Sequence, residues 1–353
     1  ITPYQKDSVT IPYNMEQFFS TTLIFYTECR LTMTNMIKLN KKMDAFKPDV
    51  ILSMTEFTVG LSGLLYGKAH KIPVVTNYST NFGTILKSYN LGVLEKPLEK
   101  YLSWFHKEAT LAVTPSAESE KVLKRLGVRR TSIFGRGIDV DKFSPNYRNS
   151  SLRSGYNMDG KIVLLYVGRL SAEKDLDVLL GTMNDLYKDY KDRIVLLITG
   201  DGPLKNDLQK AMPENVIFTG YKKGKELSEI YASADIFAFP SSFETFGNVV
   251  LEAYASGTPV VGVSKGGVKG LISHGYNGFL AKPMDVTSFG ANLKALIDND
   301  VLRHQFAQRG LAFAKTKSWQ VVFGELLSNL EALVEPKLER IVLKNEQQKC
   351  EIA

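Results

Sequence analysis

Short continuous apolar runs alternate along this chain with stretches whose apolar positions recur three or four residues apart. The runs Val50 to Met54, Pro73 to Asn77 and Leu111 to Ser116 read as buried strands, the last running into a loop. Around them, Thr32 to Phe46, Val59 to His70, Leu98 to Lys107 and Glu118 to Leu126 read as helices, the last ended by Gly127. That alternation predicts an α/β fold on a doubly wound, mostly parallel sheet. Residues Pro145 to Gly160 are rich in Asn, Ser, Arg and Gly without periodicity and predict a linker. The pattern then restarts with strands at Ile162 to Gly168, Ile194 to Thr199, Val216 to Thr219, Ile236 to Phe239 and Pro259 to Val263. Two such units imply a cleft, with ligands bound outside the carboxyl ends of the strands. Val322, Phe323, Leu326, Leu330 and Leu333 make Trp319 to Val342 helical, with a break at Pro336, and Lys344 to Ala353 reads as a frayed tail.

Composition narrows the class only a little. A chain of 353 residues, 44% hydrophobic, can bury a core and divides naturally into two domains. Cys29 and Cys350 lie near opposite ends, which argues against a disulfide framework and for a reducing cytosol. No apolar run reaches the roughly 18 residues that a membrane-spanning helix needs. The net charge of +7 favours anionic partners, leaving nucleotide, nucleic acid and anionic lipid open on charge alone. The basic residues form no stripe of the kind that tracks nucleic acid. A dehydrogenase is disfavoured, because no Gly-x-Gly-x-x-Gly follows a first strand with an acidic residue about 20 positions on.

The candidate chemistry collects at the strand ends of the second unit. After Ile236 to Phe239 comes a polar loop, then a helix marked by Val249, Val250, Ala253 and Tyr254 and stopped by Gly257 and Pro259. Glu244 stands in the loop at the helix mouth and Glu252 inside the helix. Backbone N–H groups of Phe246, Gly247 and Asn248 would point between them, an anion site flanked by carboxylates that can accept from sugar hydroxyls. The first strand ends in Gly168, which permits close backbone approach, with Arg169 and Lys174 available to a diphosphate or serving as ordinary exposed cations. Thr199 to Pro203, containing Gly202, is a tight turn into a helix; Tyr221 could edge a nucleobase or merely fill a loop. Lys265, Gly266 and Gly267 offer a further turn with exposed N–H groups. Each turn alone is generic; five at successive strand ends point to a nucleoside diphosphate sugar. No carboxylate or His–Cys cluster has convincing metal-ligand spacing.

These residues, together with Ala234 to Ser241, resemble the family-4 retaining glycosyltransferases, whose GT-B shape sets two Rossmann-like domains across a cleft. The resemblance covers nearly all of the second unit. It extends more loosely through Pro115 and Ser116, Arg136 to Asp139 and Phe143 to Pro145, which look like the family's link between domains. The Arg136 to Asp139 form and Tyr101 to His106 are similar to a subgroup of lipid-directed α-mannosyltransferases and sulfoquinovosyltransferases. The resemblance implies catalytic roles for Glu244 on the transferred sugar and for Arg169 and Lys174 on the departing diphosphate. It further implies donor contacts from Gly168, Gly202, Tyr221, Phe246, Gly247 and Asn248, with Glu252 on the ribose. Ser79 and Arg136 fall on the acceptor or sugar side. At Ser79 many relatives carry a histidine, and a hydroxyl cannot carry that positive charge near neutral pH. Anomeric configuration would be kept, with no metal and no cofactor, since Arg and Lys stabilise the charge that builds on the diphosphate.

The resemblance divides the chain into an acceptor-side domain (1–144), a donor domain (145–318) and helices crossing back (319–353). A further strand–helix–strand unit is expected before residue 1. The expected activity is transfer of a hexose, GDP-mannose being the preferred donor, to a glycolipid or lipid-linked glycan. The location would be cytoplasmic and peripheral on the inner face of the cell membrane. A UDP-sugar transferase and a nucleotide-sugar-binding protein without turnover are the alternatives. His70, His274 and His304 are read as surface or capping residues, and His106 as a residue that could line the acceptor side. The helix Leu98 to Lys107, with Lys100, Trp104 and Lys107, could lie on an anionic membrane or pack on its own sheet.

Overall fold

In the computed structural model, which describes residues 2–3, 16–23, 26–33, 35–83, 86 and 92–334, the first half builds a four-stranded parallel sheet. Its order is β1 (Ile51–Ser53), β2 (Val74–Asn77), β3 (Leu111–Thr114) and β4 (Thr131–Ile133). Helices α1 (Met36–Phe46), α2 (Thr58–His70), α3 (Glu95–Lys107) and α4 (Ala117–Arg125) belong to this half. The expected helix start at Thr32 is wrong. Thr32 closes a strand, Tyr26–Thr32, paired antiparallel with Ser20–Leu23. The helix begins only after Asn35, whose side chain accepts from the Lys38 amide at 3.1 Å. The two cysteine side chains and the tail after residue 334 lie outside the described residues.

The second half is a six-stranded parallel sheet of β5 (Ile162–Val167), β6 (Ile194–Thr199), β7 (Val216–Gly220), β8 (Ile236–Ala238), β9 (Val260–Val263) and β10 (Gly278–Ala281). Its order is β7-β6-β5-β8-β9-β10. The chain first winds outward from β5 to β7, then returns to lay β8 against the other side of β5. That reversal creates a crevice at the carboxyl ends of β5 and β8, where doubly wound sheets bind ligands. β6 is buried at every position and β5 at all but the first, as strands covered on both faces must be. β10 was not foreseen: it is four residues long behind a polar turn, and its pairing with β9 and the edge-on packing of Phe279 on Phe306 make it a strand.

The stretch read as an irregular linker is structured. It holds a 3₁₀ turn at Pro145–Tyr147 and helix α5 (Ser150–Gly155), capped by Asn149 on the Leu152 amide at 3.1 Å. Arg148 and Arg153 both reach Asp235, at 2.9 and 3.1 Å, and Asp235 also accepts from the Val163 amide at 2.8 Å. The polar composition that resembled a loop is therefore a clamp across the amino ends of β5 and β8, opposite the crevice. Local patterning cannot show this, because Arg153 and Asp235 are 82 positions apart.

The remaining helices of this half are α6 (Leu176–Tyr190), α7 (Lys205–Ala211), α8 (Gly224–Ser233), α9 (Asn248–Ala255), α10 (Val286–Ile297) and α11 (Asp300–Lys315). Helix α12 (319–334) then runs back to the first sheet. Its Val322 and Leu326 are buried in one cluster with Val75, Val113 and Phe134. Burying those two side chains contributes about 2 kcal/mol each. The crossing is anchored where Ile138 donates to the Lys317 carbonyl at 2.8 Å.

Candidate active site

The crevice is lined by loops that follow β5, β6, β8 and β9. Gly200 carries φ +144°, and a Cβ there would meet the Gly168 carbonyl oxygen at 1.9 Å. The turns after β5 and β6 thus interlock backbone to backbone, which only glycine allows. Gly202 continues the same contact against Leu170. Arg169 is partly buried, and its carbonyl accepts from the Tyr166 hydroxyl at 3.0 Å. A short 3₁₀ turn, Ala172–Lys174, then brings Lys174 to the crevice.

Lys174 and Glu244 form an ion pair there, each side chain about 20% exposed. They come from the loops after β5 and β8, the two strands that flank the reversal point. Glu244 is followed by Phe246, which is buried, and by Gly247, whose φ of +97° caps α9. On the next turns of α9, Glu252 accepts from the Tyr231 hydroxyl at 2.8 Å. Burial pushes the Glu252 carboxyl above its usual range, and the Tyr231 bond partly counters this. The structure thus places Gly168, Arg169, Lys174, Gly202, Glu244, Phe246, Gly247, Asn248 and Glu252 on the loops and helix at one end of one sheet. Tyr221 stands apart, 72% exposed beyond β7 at the sheet edge. Ser79 follows the carboxyl end of β2 in the other domain and is partly buried. Arg136 is also partly buried, and burial lowers its guanidinium pKa. Its neighbour Gly135 lies against the Phe246 ring, so Arg136 flanks the contact between domains.

Two expectations need correction. The turn at Gly266 and Gly267 does not leave the Gly267 N–H free for a ligand. The Gly267 amide donates to the Glu244 carbonyl at 2.6 Å, so this turn braces the glutamate loop. His106 does not line an open face either. It is buried beside Glu56, with Nδ1 2.8 Å from the Thr76 hydroxyl. Burial lowers the His106 pKa to about 4 and raises that of Glu56 to about 8. His70 lies near the Tyr66 carbonyl and His304 near that of Asp300, while His274 accepts from the Leu280 amide; all three are structural.

Sequence reasoning also misses Asp175. An acidic residue just before an apolar helix suggests an ordinary N-cap, but this one makes no capping bond to its own helix. Its Oδ2 instead accepts from the Ser242 amide at 2.7 Å, tying the Lys174 turn to the Glu244 loop. Among the described residues no three His, Cys, Asp or Glu side chains gather into a group able to hold a metal ion.

Two family models match the chain in sequence order: Glycosyltransferase Family 4 over residues 2–142 and Glycosyl transferases group 1 over residues 150–312. A GDP-mannose-dependent alpha-mannosyltransferase of Mycobacterium tuberculosis is 33% identical over 299 residues, covering 84% of this chain and 76% of the relative. The chain belongs to the family-4 glycosyltransferases of the GT-B fold. Sulfoquinovosyl transferase SQD2 of Arabidopsis thaliana is 31% identical over 307 residues, 84% of this chain. That match spans 59% of SQD2's own length. Among solved structures, Anabaena HepE in complex with UDP and glucose superposes with a TM-score of 0.70 at 20% identity, covering 84% of this chain and 81% of HepE. This likeness supports the GT-B arrangement of two Rossmann-like domains.

Proposed function

We propose that this glycosyltransferase moves a hexose from a nucleoside diphosphate sugar to a glycolipid or lipid-linked glycan, with retention of anomeric configuration. The observation that carries the reading is the Lys174–Glu244 pair at the mouth of α9, beside Gly247, at the reversal point of the sheet. Glu244 would accept from hydroxyls of the transferred sugar, while Arg169, Lys174 and the N–H groups of Phe246 to Asn248 stabilise charge building on the diphosphate. Glu252 would hold the ribose. GDP-mannose is the proposed donor, supported by the mannosyltransferase relative; a UDP-sugar is the alternative. The test is consumption of GDP- and UDP-sugars by the protein with lipid extract, with and without chelator. Chelator-resistant use of one donor supports the proposal, and tight donor binding without turnover under every condition overturns it.

The double variant Arg169→Ala, Lys174→Ala should weaken GDP and UDP binding about 100-fold while changing nucleoside binding little, because two charge-assisted contacts are lost. Titration calorimetry compares the ligands. Equal loss for nucleoside and diphosphate would place these side chains away from the phosphates.

The acceptor side is proposed to meet an anionic membrane through α3. Lys96, Lys100, Lys107 and Trp104 are exposed on that helix, preceded by exposed Val93 and Leu94. No helix of the described residues is long and apolar enough to cross a membrane. Neutralising Lys100 and Lys107 to glutamine should weaken binding to anionic vesicles roughly 25-fold, at about 1 kcal/mol per lysine. Vesicle sedimentation measures this, and unchanged binding would remove α3 from the surface.

A further inference from the structure

The loop that carries Glu244 is braced from three directions, and one brace comes from the other domain. Asp175 holds the Ser242 amide and Gly267 holds the Glu244 carbonyl, both from within the second sheet's loops. The Thr245 carbonyl is held by Ser116, whose hydroxyl donates at 2.6 Å across 129 positions of sequence. Ser119 reaches the same carbonyl at 3.3 Å. Both serines are buried.

Ser116 is also the N-cap of α4, its Oγ accepting from the Ser119 amide at 3.3 Å. One hydroxyl has a single proton and two lone pairs, so it can cap its own helix and donate to Thr245 at once. The direction of that carbonyl matters for the next amide. In a planar trans peptide the C=O of Thr245 and the N–H of Phe246 point in opposite directions. Turning the carbonyl toward α4 therefore turns the Phe246 N–H away from α4, and it is this N–H that the donor reading above assigns to the diphosphate.

We infer that Ser116 is a positioning residue for transfer: an inter-domain latch that sets the Thr245–Phe246 peptide and so couples the alignment of the two domains to the donor loop. This rests on the donor-site reading above. When the domains separate, the carbonyl loses both serine partners, and the Thr245–Phe246 peptide is held only by its neighbours' bonds to Asp175 and Gly267, so its N–H is fixed most firmly in the joined arrangement. Closure and donor-site ordering are then coupled.

The cap and the latch can be separated by substitution. Ser116→Gly keeps most N-cap stability but has no hydroxyl, whereas Ser116→Thr keeps both. Steady-state kinetics with GDP-mannose and UDP-glucose in lipid extract, thermal melting, and hydrogen exchange at the Phe246 and Gly247 amides are measured for both, beside Glu244→Ala. The expected result is about a tenfold fall in kcat for Ser116→Gly with faster exchange at Phe246, a melting temperature near wild type, and recovery in Ser116→Thr. Wild-type kcat and exchange in Ser116→Gly, while Glu244→Ala is inactive, would overturn the latch alone. Wild-type turnover in Glu244→Ala would instead overturn the donor-site reading on which it rests.

Discussion

Glu244→Ala is expected to lower transfer about 100-fold while leaving the fold and nucleoside diphosphate binding almost intact. The expected loss is in kcat because the proposed contact is with sugar hydroxyls whose orientation is needed as the donor bond breaks. Diphosphate affinity should survive because Arg169 and Lys174 remain. Lys174, freed from that ion pair, gains freedom to turn toward a phosphate oxygen. Stability should fall by no more than about 1 kcal/mol, since the surviving ammonium is partly exposed and can be hydrated. Steady-state kinetics with calorimetric titration of GDP and UDP check both halves. Near-normal turnover would dismiss the sugar contact, and loss of diphosphate binding in step with turnover would mean that the loop itself had collapsed.

Stability is expected to fall by about 2 kcal/mol between pH 6.5 and 8 because of the buried Glu56–His106 pair. The two groups lie 3.8 Å apart, with Glu56 Oε1 and His106 Nε2 both lacking a hydrogen-bond partner. Tyr78 packs edge-on against the imidazole, and the Tyr101 hydroxyl donates to the Glu56 carbonyl. Burial keeps both groups neutral, holding the Glu56 proton up to about pH 8 and His106 unprotonated down to about pH 4. Unfolded, they titrate near their ordinary values of 4.5 and 6.5. Below pH 6.5 and above 4.5 the folded pair holds a proton on Glu56 where the unfolded pair holds it on His106, so the counts match and stability is flat. Above pH 6.5 the folded state binds the extra proton alone, so rising pH removes stability until the Glu56 proton is lost. Glu56→Gln should abolish this slope, leaving only the His106 contribution, which is lost as pH falls from 6.5 toward 4. Melting of both proteins at pH 6.5 and 8 decides it; parallel curves would show that Glu56 does not titrate as its burial demands.

Much of the fold is legible in the chain because strand and helix periodicity are local. The apolar runs at 162–168 and 194–199 become β5 and β6 almost residue for residue, and the helix opening after Glu244 lies where its apolar spacing puts it. The errors fall where a distant partner outweighs local pattern. Thr32 joins a hairpin rather than a helix, Arg148 and Arg153 order a segment that is polar enough to look like a linker, and β10 depends on β9. The same cause hides two groups that brace the site and one buried pair outside it. Asp175 looks like an N-cap until Ser242 is beside it, Ser116 looks like a cap until Thr245 is, and Glu56 and His106 look unremarkable until both are buried.

By itself, then, the sequence determined that successive parallel strands would end in glycine, cation and carboxylate turns, since side-chain type and period are properties of neighbouring residues. Only the tertiary structure decided which turns meet. Strand order sets β8 against β5, which brings Lys174 to Glu244 across 70 positions, and the packing of two domains brings a serine hydroxyl to the loop between them. The physical reason is that hydrogen bonds and ion pairs act over a few ångströms of space, whatever the length of chain between the partners.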